Sequence, residues 1–227
     1  MTGSPSGRAG LFLSFEGIEG SGKSSQVARL ARRLADAGHE VVATREPGGT
    51  PLGARLRSVL LEKDGAPIAP CVELLLYAAD RAQHLSEVIL PALRRGAAVL
   101  CDRYLDATVA YQGYGRGLGA ATVLALHREP PLDLRPHRTL LLDLDPAIGL
   151  ARARARNAAE GIDAAEGRFE GETLAFHRAV REGYLALAAA EPGRVRVVDA
   201  AGTEDEVEAR IEAALRDLLA PIGELAP

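Results

Sequence analysis

Residues 17–24 read Gly-Ile-Glu-Gly-Ser-Gly-Lys-Ser. Two glycines with four residues between them, followed by Lys and Ser, form the Walker A or P-loop pattern. The apolar run Leu11 to Phe15 comes before it, and a helical pattern from Lys23 to Ala37 comes after it. The strand–loop–helix setting that the pattern needs is therefore present. Glycines let successive backbone N–H groups turn towards one point, and the positive end of the following helix strengthens that anion site. Lys23 reaches the outer phosphates of a nucleoside triphosphate, and the Ser24 hydroxyl is placed to ligate the bridging Mg²⁺. A glycine-rich turn that merely starts a helix would not match at eight ordered positions. We expect Gly17, Ile18, Glu19, Gly20, Ser21, Gly22, Lys23, Ser24 and Ser25 to bind ATP.

The chain has 227 residues, 47% of them hydrophobic, which suits one compact α/β unit with a small mobile segment. A formal charge of −4 argues against a grip on a nucleic-acid backbone. Two cysteines, Cys71 and Cys101, are too few for a disulfide framework or a zinc site, and Cys101 ends a buried strand as an inert thiol. No apolar run approaches membrane-spanning length, and residues 1–10 lack the apolar centre of a signal peptide. A cytoplasmic protein with flexible tails at 1–10 and 221–227 is expected, the domain lying between them at 11–220.

Strands are expected at 11–16, 40–44, 97–101, 138–144 and 195–198. Helices are expected at 23–37, 52–61, 71–90 (broken by Pro91), 106–112, 119–128, from Pro146, 169–190 and 204–219. Alternating strands and helices of this length imply a parallel sheet covered on both faces. Arg45 and Arg103 then lie at the carboxyl ends of two strands, on the side where such sheets bind ligands. Two guanidiniums there suit a second phosphate group, because each offers a charged, bidentate fork. A salt bridge is the competing role for either arginine taken alone. Asp102, Asp143 and Asp145 also sit at strand ends and compete for the acidic position near Mg²⁺. Asp145 is equally suited to cap the Pro146 helix. Tyr77 and Arg81 are four apart on one helix face, as are Thr108 and Gln112.

Five segments in order resemble the thymidylate kinases, the P-loop kinases that phosphorylate dTMP. They are Phe-Glu-Gly-Ile-Glu-Gly-Ser-Gly-Lys-Ser-Ser at 15–25, Thr-Arg-Glu-Pro-Gly-Gly-Thr at 44–50, Tyr-Ala-Ala-Asp-Arg-Ala-Gln-His at 77–84, Asp-Arg-Tyr at 102–104 and Ala-Tyr-Gln-Gly at 110–113. The resemblance runs from Leu11 to about Leu219. It implies a three-layer α/β/α P-loop fold of the nucleoside monophosphate kinase type, with a five-stranded parallel sheet and a lid at about 152–170. It also implies transfer of the γ-phosphoryl group of ATP to dTMP in dTTP synthesis, with Mg²⁺, by a homodimer. Residue by residue, the family's pattern ranks Asp102 first beside Ser24 as the metal position. Arg103 and Arg45 fall on the acceptor phosphate, and Tyr77 and Arg81 flank the base. Thr108 and Gln112 fall on the thymine edge, Tyr111 beneath the deoxyribose and Glu19 near the 3′-hydroxyl.

Arg152, Arg154, Arg156 and Arg168 surround the polar, lid-like stretch 157–167. Such a charge run is ordinarily a solvated face, but phosphoryl transfer needs positive charge around the migrating group. Ile18, Glu19 and Ser21 fill the variable P-loop positions, so the loop holds no arginine. This resembles the bacterial, lid-arginine type, which implies that one or two of Arg154, Arg156 and Arg168 reach the phosphates when the lid closes. The chain departs from the family in having Gly167 where an acidic residue usually precedes Arg-Phe-Glu. Two other readings compete: a P-loop kinase for another monophosphate or a deoxynucleoside, and a nucleotide-binding switch. GTPase switches carry Asn-Lys-x-Asp, and lysines only at 23 and 63 exclude that motif.

Overall fold

The structure, a computed structural model, describes residues 10–62, 66–159 and 167–219. The expected tails (all but residue 10) and residues 160–166 of the lid stretch lie outside the described residues. Five strands, β1 (Leu11–Glu16), β2 (Val41–Arg45), β3 (Ala98–Asp102), β4 (Arg138–Asp143) and β5 (Val195–Asp199), form one sheet in the order β2-β3-β1-β4-β5. Every pairing is parallel, as the strand–helix alternation predicts. All carboxyl ends therefore face one side, and the register sets Arg45 and Phe15 on either side of Asp102.

Strand residues alternate between two apolar clusters because successive side chains point to opposite faces. Leu13, Phe15 and Leu100 join Val27, Leu30 and Leu34 of α1 (Lys23–Asp36) and Val207, Ile211 and Leu215 of α9 (Glu204–Leu219). Phe12, Val99 and Cys101 join Leu85, Ile89, Leu105 and Val109 on the other face. Cys101 is fully buried and its Sγ–H donates to the Arg103 carbonyl at 3.0 Å, so the thiol is inert, as expected. Both cysteines are free. Gly38 stops α1 as expected, with a φ of 85° that closes the helix end. α2 (Pro51–Leu61) begins behind Thr50, whose hydroxyl accepts from the Gly53 N–H at 2.9 Å.

Three local expectations change. Pro91 does not break its helix: α3 (Pro70–His84) passes through a π turn at Leu85–Ile89 into α4 (Leu90–Arg94). The widened turn relocates the carbonyl that the proline ring would otherwise strike. α5 (Leu105–Thr108) likewise runs into a π turn at Val109–Gly115, which absorbs the first glycines of a stretch expected to separate it from α6 (Ala120–Leu126). The helix expected from Phe169 starts at Leu174 as α8 (Leu174–Ala190), because the Thr173 hydroxyl takes the Phe176 N–H at 3.2 Å and fixes the cap there. α7 (Pro146–Ala159) reaches past Asn157, so the lid stretch begins as helix. Its start is capped by Asp145, whose carboxylate accepts from the Ala147 N–H at 2.8 Å.

Candidate active site

β1 delivers the chain into the P-loop, and the loop is held from behind by backbone. A Cβ on Gly20, where φ is +69°, would lie 2.0 Å from the Gly149 carbonyl oxygen in the first turn of α7. Only glycine permits that approach. Gly22 caps α1 at φ 88° with no side chain to satisfy the first helical N–H groups, which stay available to an anion. Lys23 folds back: its Nζ donates to the Ile18 carbonyl at 2.7 Å and to Ser21 Oγ at 3.3 Å. Burial, helped by Arg103, pushes the Lys23 ammonium down to about 8, against the pull of Asp102, Glu19 and Glu16. The negative charge of a bound phosphate would offset that cost.

Ser24 Oγ donates to Asp102 Oδ2 at 2.5 Å. Of the three competing aspartates, Asp143 is engaged in a bidentate pair with Arg181, at 2.7 Å for both bonds, and Asp145 caps α7. Next in the chain, Arg103 takes a φ of 67°, the one positive value at a non-glycine among the described residues. Its N–H donates to the Phe15 carbonyl at 2.9 Å, which over-determines this strained turn. The Arg103 guanidinium donates to the Gly17 carbonyl (3.0 Å), the Tyr184 hydroxyl (3.2 Å) and Glu19 Oε1 (3.0 Å), and lies 4.8 Å from the Tyr111 ring centroid.

Two carboxyl groups flank that arginine and differ in state. Burial, reinforced by the charge of Asp106, raises Glu16 to about 8, so it stays protonated at neutral pH. It accepts from the Tyr104 N–H at 2.7 Å and from the Tyr184 hydroxyl at 2.9 Å. Burial works the same way on Glu19. There it is outweighed by the hydrogen bond from His177 and the charges of Arg103 and Lys23, which hold the carboxyl well below the usual carboxylate range. Tyr111 also donates to Glu19 Oε1, at 2.5 Å.

A cavity of about 220 Å³ runs from Lys23, Ser24 and Asp102 past Arg45 and Arg103 to Tyr77, Arg81, Thr108 and Gln112. Glu19, Gly20, Tyr111 and Arg156 also line it, so most of the expected side chains meet in one place. Gly17, Ile18, Ser21, Gly22 and Ser25 lie off its wall, and neither Arg154 nor Arg168 is on it. Arg154 is exposed. Arg168 pairs with Glu73 Oε2 at 2.7 Å and donates to the Leu60 carbonyl at 3.1 Å.

The far end of the cavity is organised by groups that the sequence alone did not assign. Arg81 is 1% exposed, and its guanidinium donates to Glu46 Oε2 (2.8 Å), His127 Nε2 (2.8 Å) and Thr108 Oγ1 (2.9 Å). Because His127 accepts there, its ring is neutral; burial and the Arg81 charge lower it to about 4. Glu46 also takes a bond from His84 Nδ1 at 2.9 Å. Fully buried Glu73 accepts from Gln112 at 2.8 Å and Arg116 at 3.2 Å, besides pairing with Arg168. Glu46 and His84 fall inside the segments quoted above, which was the available signal. Glu73, His127 and Tyr184 carried none.

The sequence model of the thymidylate kinase family matches residues 15–211. A curated thymidylate kinase from Syntrophotalea carbinolica is 58% identical over 201 residues, covering 88% of this chain and 93% of the relative. One from Solidesulfovibrio magneticus is 56% identical, over 87% of this chain and 94% of its own. Among solved structures, thymidylate kinase from Ehrlichia chaffeensis superposes with a TM-score of 0.72 at 30% identity, covering 91% of this chain and 99% of that one.

Proposed function

The chain belongs to the thymidylate kinase family, and we infer that its cavity holds both substrates of that reaction. It transfers the γ-phosphoryl group of ATP to dTMP, giving dTDP and ADP. The observation that carries the two-substrate reading is the continuity of one cavity from the P-loop lysine to the Arg81 cluster. In this assignment the loop amides of 17–25 and Lys23 hold the triphosphate, and Arg45 and Arg103 hold the acceptor phosphate. Tyr77 stacks on the base and Arg81 bonds one of its carbonyls, with Thr108 and Gln112 along its edge. Tyr111 lies beneath the deoxyribose and Glu19 meets its 3′-hydroxyl.

Ser24 and Asp102 offer a hydroxyl and a carboxylate 2.5 Å apart beside the P-loop. Hard oxygens of this kind fit Mg²⁺, which keeps its remaining sites for phosphate oxygens and water. Held by Ser24 and Asp102, Mg²⁺ would offset the negative charge of the phosphates. An acceptor phosphate oxygen attacks the γ-phosphorus in line; that O–P bond forms as the bond to the β–γ bridging oxygen breaks, and the electron pair leaves with ADP. The acceptor is already an oxyanion at neutral pH, so no general base is required. Positioning and charge neutralisation carry the rate.

Arg156 already lines the cavity, and we keep Arg154 and Arg168 beside it as the lid arginines, with the lid at about 152–170. One or two of the three contact the transferring phosphates in the closed state. Replacing each in turn with Ala lowers kcat by about tenfold or more in at least one variant, with Arg156 first. Steady-state assays that find all three within a few-fold of the parent would dismiss the lid role.

The assignment of Arg45 and Arg103 is tested by omitting the acceptor phosphate. With ATP and Mg²⁺, thymidine in place of dTMP gives no ADP release above the background hydrolysis. Comparable turnover with thymidine would show that the second phosphate site is misassigned. We further propose a homodimer in the cytoplasm; Val72 and Leu75 expose an apolar strip on α3, 48% and 52% accessible. Among the described residues, no helix is long and apolar enough to cross a membrane.

A further inference from the structure

His177 lies in the first turn of α8, fully buried, and touches two segments that are distant in sequence. Its Nε2 is 2.9 Å from the Phe169 carbonyl oxygen. A carbonyl only accepts, so Nε2 carries a proton. Its Nδ1 is 3.2 Å from Glu19 Oε2. Both of these atoms are buried, and neither makes any other hydrogen bond. With a neutral ring, two acceptors would face each other in a site without water, which costs the desolvation of both. A proton on Nδ1 satisfies the pair.

The surroundings set where that proton resides. Glu19 faces the ring from the P-loop, and its other oxygen is held by Arg103, just past the end of β3, and by Tyr111 from the π turn. Lys23 of α1 acts on the same carboxylate, and Phe176 meets the imidazole edge-on at 5.5 Å. Arg103 and Lys23 oppose a further positive charge, yet both act first on Glu19 and keep it ionised. The proton therefore belongs to the imidazole.

We propose that His177 is a positioning residue of the acceptor site: protonated on both ring nitrogens, it fixes Glu19 and ties the P-loop to the Phe169 carbonyl at the end of the lid stretch. The catalytic consequence rests on the reading of Glu19 as the partner of the sugar 3′-hydroxyl. Through His177, the hold on the sugar and the position of the lid's end become one mechanical unit.

Two measurements on the full chain test this. In long-range ¹H–¹⁵N spectra, the His177 signals, assigned by their loss in His177→Gln, place both nitrogens in the protonated range at neutral pH. A lone-pair resonance at Nδ1 would overturn the proposal. In kinetics, His177→Phe raises KM for dTMP about tenfold, the scale of one charge-assisted hydrogen bond, with KM for ATP unchanged. His177→Gln, which keeps an N–H for Glu19, recovers part of that loss. The parent enzyme's preference for dTMP over its 3′-deoxy analogue shrinks in His177→Phe. If both variants kept the parent KM and that preference, His177 would be structural only. If the parent itself failed to distinguish the analogue, the Glu19 reading would fall, while the spectra would still decide the state of His177. Should His177→Phe fail to fold, His177→Gln and the parent spectra decide.

Discussion

Lys23→Ala lowers kcat by roughly 10²–10³-fold or more while leaving the protein folded. In the proposed donor site this lysine supplies positive charge to the β- and γ-phosphates, and the chain has one other lysine, Lys63. Its loss removes two bonds within the P-loop, from Nζ to Ile18 and Ser21. It also removes the burden of a buried ammonium already pushed down to about 8 by desolvation. These changes oppose one another, and alanine suits a helix start, so the melting temperature moves little. The check is a steady-state assay beside a thermal melt. Activity within tenfold of the parent in a folded variant would overturn the donor-site assignment.

Arg103→Ala has the second largest effect, and its signature differs. Arg103 is assigned to the acceptor phosphate, so kcat/KM for dTMP falls by at least about 10²-fold while ATP affinity is nearly kept. Stability also falls, by about 2–3 kcal/mol, because Glu19 is left with one cation fewer in a buried place. That figure lies at the low side for a buried pair, since the Arg103 and Glu19 side chains retain 20% and 12% of their exposure. Arg45→Ala serves as the control. Arg45 is exposed, so its replacement raises KM for dTMP without the loss of stability. A folded Arg103→Ala enzyme with KM and kcat for dTMP within threefold of the parent would remove Arg103 from the site.

The sheet and the P-loop were legible in the sequence because their rules are local. Glycines at fixed spacing, an apolar strand before them and a helix after them specify one arrangement. The strand ends at Arg45 and Asp102 followed from the alternation of elements, and the register confirms that they are neighbours. Pro91 was misread for the same reason: the rule that proline ends a helix is local, whereas a π turn packed through Leu85 and Ile89 keeps this one going. The helix expected over 169–190 starts only at Leu174, so Phe169 is left outside it. Phe169 packs against Tyr111 at 5.2 Å from a turn outside α8. The groups that hold the site together were illegible because each lies far along the chain from what it holds. Tyr184 meets Arg103 across 81 residues, and Gln112 meets Glu73 across 39. Nothing in the local pattern around Glu73, His127 or Tyr184 marks them, since each reads as an ordinary helix residue until the sheet brings its partner alongside.

The central claim is that one cavity places a pyrimidine deoxynucleoside monophosphate against the γ-phosphate of ATP, with its base among Tyr77, Arg81, Thr108 and Gln112. The most direct measurement supplies ATP and Mg²⁺ with dTMP, dUMP, UMP or CMP in turn and follows ADP release. The expected result is the highest kcat/KM for dTMP, with UMP and CMP falling furthest, because in the proposed pose Tyr111 lies under the sugar and would disfavour a 2′-hydroxyl, and Arg81 would favour a thymine-like carbonyl. Equal turnover of dTMP and the other three would contradict it.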